Sequence, residues 1–279
     1  MLISMFIFSA VDTQAKYLTA TIDPLQVVWF RQMGLFFGVV ILLIWRGRQI
    51  LRTAKLGLQI SRGACAALSA SLFIIGVSYV PLADAVAVTF IAPLLVTIMG
   101  ALLLGEYVGI HRWTAVIVGF LGTLIIIRPG FDSFHPALIF PLIAACLFAG
   151  RQVISRFLSG TDKTETTVTY TAIASTFILS LPIPFVWTNP QTSAEILLII
   201  SMASMAAIAE LLVIKALEIA LAVVVSPMQY TIIIWSSFYG FMVFDQLPDG
   251  YTIGGAAIII LSGLYTLHRE RVRKPVTPK

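Results

Sequence analysis

Apolar residues in this chain run in blocks of about 20, and polar residues gather in the short breaks between them. The blocks fall near 2–20, 24–45, 56–80, 81–104, 111–129, 136–158, 166–188, 194–218, 220–244 and 250–268. A helix rises 1.5 Å per residue, so ~20 residues cross a hydrocarbon core ~30 Å thick. Pro and Gly mark most of the breaks: Asp23-Pro24, Val80-Pro81, Pro129-Gly130, His135-Pro136, Asn189-Pro190 and Pro248-Asp249-Gly250. The pattern predicts an all-α membrane protein with ten transmembrane helices and no loop long enough for a soluble domain. The first block lacks a basic leader and a small-residue cleavage site. It therefore reads as a retained helix rather than a removed signal.

Composition agrees. Of 279 residues 59% are hydrophobic and 11% charged, whereas soluble domains carry about 25% charged residues. Too few charges are available to cover so much apolar surface in water, so the lipid bilayer is the expected surrounding. The net charge of +5 would suggest nucleic acid in a soluble protein, but here its location matters more. With the N-terminus inside, every Lys and Arg except Lys16, Arg31 and Arg128 falls on the cytoplasmic loops, their helix ends or the tail. This asymmetry predicts that both termini of the multi-pass chain are in the cytoplasm, and the expected location is the bacterial inner membrane. Cys65 and Cys146 lie inside apolar blocks without metal-ligand spacing and read as packing residues.

The second half of the chain echoes the first. PLADAVAVTFIAPLLVTIMGALLLGEYVGIHRWTAVIVGFLGTLII, from Pro81, compares with ALAVVVSPMQYTIIIWSSFYGFMVFDQLPDGYTIGGAAIIILSGLY, from Ala220. Each has an Ala-bearing entry, a helix interrupted by Pro (Pro93, Pro227), an acidic end (Glu106, Asp245) and a Gly-bearing helix after a turn. Five helices per half is an odd number, so the halves insert with opposite orientation, as in secondary transporters with a central site. The expected organisation is a first repeat over 1–130, a second over 131–268 and a basic cytoplasmic tail over 269–279.

The segment YVPLADAVAVTFIAPLLVTIMGALLLGE, the early Arg31 in PLQVVWFRQMG, and the final SPMQYTIIIWSSFYGFMVFDQLPD with IGGAAIIILSGLY together resemble the EamA family of the drug/metabolite transporter superfamily. The likeness covers nearly the whole chain, although Ser236-Ser237 stands where a Gly or Ala often follows the Trp. It implies a ten-helix exporter of small metabolites with two inverted halves around a central cavity. In overall layout it resembles the branch that exports aromatic amino acids and similar compounds.

Charges inside the blocks are the first candidates for function, because they are costly in lipid and face protein or water. In DTQAK, Asp12 and Lys16 lie four apart on one helical face. By depth they share the outer half of the membrane with Arg31 and, near its edge, Asp84. A cluster of these four is expected to tie helices together, with gating or proton coupling as the functional alternative. In the inner half, Glu210 can pair with Arg62 or Arg151, or act as an inner gate or proton site. The arginines and Lys215 can instead reach the headgroups along their stems.

Substrate contacts are expected from aromatic and polar residues near the Pro interruptions: Tyr79, Thr89, Phe90 and Pro93 in one half, and Pro227, Gln229, Tyr230 and Trp235 in the other. A proline removes a backbone hydrogen bond and leaves polar groups for a ligand. Gly34/Gly38 and Gly119/Gly122 suit close helix contact. No nucleotide-binding loop, no metal or catalytic set and no channel filter is present in the sequence; His111, His135 and His268 lie near helix ends. The reading is a non-enzymatic, cofactor-free, monomeric transporter or facilitator for a small molecule. Export of amino acids with aromatic or large apolar side chains is the first expectation. A multidrug exporter of lipophilic cations is the alternative, and a membrane enzyme or receptor subunit is the reading from another class.

Overall fold

The computed structural model describes residues 1–104, 110–127, 135–159, 161–219 and 226–272. Among them the regular structure is helical: α1 (Leu2–Leu18), α2 (Pro24–Arg46), α3 (Leu56–Tyr79), α4 (Leu82–Thr89), α5 (Ala92–Leu104), α6 (Ile110–Ile127), α7 (Ile139–Ser159), α8 (Thr164–Ser180), the single turn α9 (Ile183–Val186), α10 (Ser193–Ile219), α11 (Ile232–Phe244) and α12 (Gly250–Val272). Among the described residues five stretches are long and apolar enough to cross a membrane, and Trp113–Ile127 and Gly250–Tyr265 are shorter apolar helices. The chain is an all-α membrane protein.

The breaks have local causes. Asp23 caps α2 by accepting a hydrogen bond from the Leu25 amide, and Pro24 takes the first turn, where no intrahelical donor is needed. The 81–104 block divides at Phe90–Ile91, because Pro93 has no N–H to give the Thr89 carbonyl. The 166–188 block is cut at Leu181-Pro182. Before α11 the chain forms a 3₁₀ turn over Ser226–Thr231. Asp245 closes α11 in the left-handed conformation (φ 55°), which brings the Gln246 amide onto the Gly240 carbonyl at 3.0 Å. α12 continues to Val272, four residues into the expected tail. Residues 273–279, Glu106, Arg128 and the 220–225 entry lie outside the described residues.

Helices pack by exchanging partners along the chain. α3 lies on α7 and α8, and α10 lies on α1 and α2; α6 pairs with α12, α2 with α8, α5 with α7, and α1 and α4 with α11. Two crossings are close enough to demand glycine. A Cβ on Gly34 would stand 1.9 Å from the Ala203 carbonyl oxygen, and one on Gly255 would stand 2.6 Å from the Gly122 carbonyl oxygen. Gly38, paired with Gly34 in the sequence reading, faces open space.

The main apolar core is lopsided. Val11, Leu18, Val27, Val28, Ile74, Val77, Leu82, Val86, Ile126, Leu179, Met202 and Ile259 form one buried cluster. They come from the late part of α1, α3, α6 and α8 and the early part of α2, α4, α10 and α12. All of these parts lie toward the end of the molecule that carries Thr21 and Thr188. The opposite end carries Asp162.

Candidate functional site

The Thr21 end is laced together by side chains. Thr21 donates to Glu195 at 2.8 Å. Gln26 and Thr188 exchange two hydrogen bonds, with Gln26 Nε2 donating to the Thr188 carbonyl at 2.8 Å and the Thr188 amide donating to Gln26 Oε1 at 2.7 Å. Just below, Arg31 Nη1 meets Asp12 Oδ1 at 3.1 Å, and Asp12 is buried. Lys16 turns away from Asp12: its Nζ donates to the Val80 carbonyl at 2.5 Å and to Gln246 Oε1 at 3.1 Å, over the Phe244 ring. Asp84 is within electrostatic reach of Lys16 and accepts from the Thr252 hydroxyl at 2.8 Å. The expected four-residue cluster therefore occurs as two linked units, Asp12–Arg31 and Lys16–Asp84. The first ties the consecutive helices α1 and α2, and the second reaches segments distant in sequence, at Gln246 and Thr252.

At mid-depth the two interrupted stretches meet. Phe90, at the α4–α5 break, packs edge-on to Tyr230 in the 3₁₀ turn, with centroids 5.2 Å apart. The Tyr230 hydroxyl lies against Gly263, where a Cβ would be 2.1 Å away. Trp235, one turn on, packs edge-on to Phe6 of α1 at 5.0 Å rather than on Phe90. Its indole Nε1 is buried without a hydrogen-bond partner, as is the hydroxyl of Ser9, which shares the Phe6 face of α1. Thr89 is already bonded to the Val86 carbonyl at 2.7 Å. Tyr79, Pro93 and Gln229 are exposed, and the Pro227 side chain lies outside the described residues. Sequence reasoning missed Phe6 and Ser9. The signal available was a polar residue three positions from an aromatic one in an apolar block.

The half toward Asp162 differs. Arg62 on α3 does not extend toward the headgroups. Its Nε donates to Ser155 of α7 at 2.7 Å and its Nη1 to Thr171 of α8. Arg151 on α7 lies over the Phe148 ring at 4.7 Å, and its Nε is buried and unpartnered. Glu210 on α10 interacts electrostatically with both arginines. Beyond them, Asp162 accepts from Thr53, from Gln59 at 2.7 Å and from the Ala54 amide. The Thr53 hydrogen bond, reinforced by Gln59 and the Ala54 amide, holds its carboxyl below the usual aspartate range. An open crevice of about 500 Å³ beside it, lined by Leu51, Arg52, Thr161 and Tyr170 among others, lies at the loops and not at the broken helices. Among the described residues no cluster of His, Cys, Asp and Glu could hold a metal ion.

Known proteins resemble this chain along most of its length. The family model "EamA-like transporter family" matches residues 1–128. A riboflavin transporter of Vibrio cholerae serotype O1 is 35% identical over 217 residues, 77% of this chain and 72% of the relative. An S-adenosylmethionine uptake transporter of Rickettsia prowazekii is 26% identical over 273 residues, 97% of this chain and 92% of the relative. One crystal structure shares the fold with a TM-score of 0.61 at 17% identity, over 97% of this chain and 98% of its own.

Proposed function

The chain belongs to the EamA-like transporter family, and we propose that within it the chain is a carrier for amino acids or amino-acid-like metabolites with an aromatic or large apolar part. It is a membrane transporter of a small molecule and not an enzyme. The observation that carries the finer reading is the meeting of the two interrupted stretches. Helix breaks free backbone polar groups, the Phe90–Tyr230 contact supplies flat apolar faces, and the unpartnered Trp235 Nε1 and Ser9 hydroxyl offer hydrogen bonds. A ring-bearing solute with a polar headgroup matches that lining. The two relatives are named for S-adenosylmethionine, an amino acid derivative with an adenine ring, and for riboflavin, a heteroaromatic.

The proposed architecture is ten spans in two inverted repeats, 1–130 and 131–268, with both termini in the cytoplasm of the inner membrane. The exchanged packing supports it: α3 on α7 and α8 is mirrored by α10 on α1 and α2. In this frame the Thr21 end is outside and closed, and the Asp162 end is inside and less tightly cored. Transport follows by alternating access. Export is the direction implied by the family resemblance, while the Rickettsia relative is named for uptake. A carrier without an energy source runs either way down its gradient, so direction in the cell follows the concentrations. Lys16 and Asp84 serve as an outer gate, whereas Asp12–Arg31 is a structural pair.

The test is counterflow of labelled phenylalanine, tryptophan and leucine in proteoliposomes, with and without a pH gradient, alongside riboflavin, S-adenosylmethionine and quaternary cations. Saturable movement of an aromatic amino acid is expected. Movement of quaternary cations alone would favour the multidrug reading and overturn this one. A reporter fused after Lys279 is expected to read as cytoplasmic.

A further inference from the structure

We propose that Arg62, Arg151 and Glu210 form the headgroup subsite for the transported amino acid: the two guanidinium groups take its carboxylate, and Glu210 takes its ammonium. The proposal rests on the carrier reading above and names the part of the solute that the aromatic lining leaves undefined.

Arg151 is the starting point. No described residue forms an ion pair or hydrogen bond with its guanidinium, its Nε is buried, and it lies over the face of Phe148 with Cys65 and Glu210 within electrostatic reach. A buried donor left without an acceptor is unfavourable, and an anion in contact with the guanidinium would supply one. Arg62 is oriented by two hydroxyls, Ser155 and Thr171, that fix its plane without neutralising it. The two arginines are near enough to repel each other. A carboxylate between them would relieve that repulsion through charge-assisted hydrogen bonds.

Glu210 completes the geometry. It interacts electrostatically with both arginines, yet it makes no ion pair within 4.0 Å of either. α10 is packed on α1 and α2, and α3 on α7 and α8. The carboxylate and the arginines thus come from helices with different main partners, and they are within electrostatic reach of one another. Counting along the helices from the Asp162 end, the three lie about 9, 12 and 14 Å deep, at one level. A bare anion would leave Glu210 unpaired. A bare amine would satisfy Glu210 but meet two like charges. A zwitterion leaves none of the three without a partner. Among the described residues the main apolar core gathers at the Thr21 end, and the proposal takes entry from the Asp162 side.

The purified full chain in detergent, titrated by thermal shift, separates these cases. The probes are L-phenylalanine, L-alanine, S-adenosylmethionine, 2-phenylethylamine, 3-phenylpropanoate and riboflavin. In the native protein L-phenylalanine is expected to bind at least 10-fold more tightly than 2-phenylethylamine, which lacks the carboxylate, and more tightly than 3-phenylpropanoate, which lacks the ammonium. Arg151→Gln is expected to weaken the zwitterions about 10- to 100-fold and to strengthen 2-phenylethylamine, which then meets one like charge fewer; Glu210→Gln is expected to erase the preference for L-phenylalanine over 3-phenylpropanoate. Equal binding of L-phenylalanine and 2-phenylethylamine to the native chain overturns the subsite without any variant. If riboflavin binds, no zwitterion does, and Arg151→Gln changes nothing, the chain remains a small-molecule transporter while the amino-acid reading and the subsite both fall. If L-alanine or S-adenosylmethionine binds through Arg151 while L-phenylalanine does not, the subsite stands and the aromatic preference falls.

Discussion

Two sets of charges lie inside this protein, and they are built differently. Toward the Thr21 end a buried carboxylate forms an ion pair with one arginine at 3.1 Å. Toward the Asp162 end two arginines and one glutamate sense each other without contact, and the charges do not cancel. The first set is embedded where the core is dense. The second spans the packed α3–α7 pair, which carries the arginines, and α10, which carries the glutamate and packs on α1 and α2. A closed pair holds a fold together; an open, unbalanced set asks for something to enter it. Charge in the membrane interior is thus no single signal, and contact is what divides its two uses.

The comparison is broken most directly by removing one arginine from each set. Arg31→Ala leaves the Asp12 charge buried without its partner and is expected to cost about 3–5 kcal/mol. Melting temperature and monodisperse yield in detergent report it, and Asp12→Asn combined with Arg31→Gln should recover much of the loss. Arg151→Gln is expected to do the reverse: melting temperature unchanged or raised, transport strongly reduced. Equal destabilisation by the two substitutions would erase the distinction.

A smaller effect tests the tight packing between the halves. Gly34→Ala drives a methyl group into the Ala203 carbonyl, and forced repacking of this kind costs about 1–3 kcal/mol. Gly38→Ala, in open space, is expected to change the melting temperature little. Smaller again, Phe90→Leu removes a ring pair worth about 0.5–1.5 kcal/mol beyond its area; counterflow should show a raised KM for aromatic solutes with little change for leucine. The smallest effect is at the loops. The Asp162 carboxyl is held below its ordinary range, so its folded state favours the charged form. That stabilisation is complete above the ordinary aspartate range and fades as pH falls below it. Asp162→Asn should flatten this acid-side loss in a melting series from pH 6 to pH 3.

Much of this was readable along the chain, for definable reasons. Block length and Pro positions anticipated the helices, because span and backbone donors are local properties; the break before Pro93 is an instance. Depth along each helix brought Asp12 and Arg31 together, since both are counted from the same turn. Which neighbour a long side chain chooses was not legible. Lys16 passes over Asp12, one turn away, for the Val80 carbonyl and Gln246, and Arg62 bonds Ser155 and Thr171 where its stem alone suggested the headgroups. These choices depend on helices 64 to 230 residues away in sequence. Periodicity carries no information about them. The pairing of Phe90 with Tyr230 lay between: each stretch was marked by its proline, while their contact needed the fold.

The exchange of helix partners also has a consequence for synthesis. When the ribosome has released α1, α2 and α3, their principal neighbours α7, α8, α10 and α11 do not yet exist. Gly34 waits for Ala203, and Gly122 for Gly255. The early helices must remain in the lipid as loosely associated segments, with Asp12 and Arg31 already needing each other, until the last third of the chain arrives. Assembly is then a late, concerted event near the end of translation, and a chain truncated before α10 is a substrate for quality-control proteases rather than half a transporter.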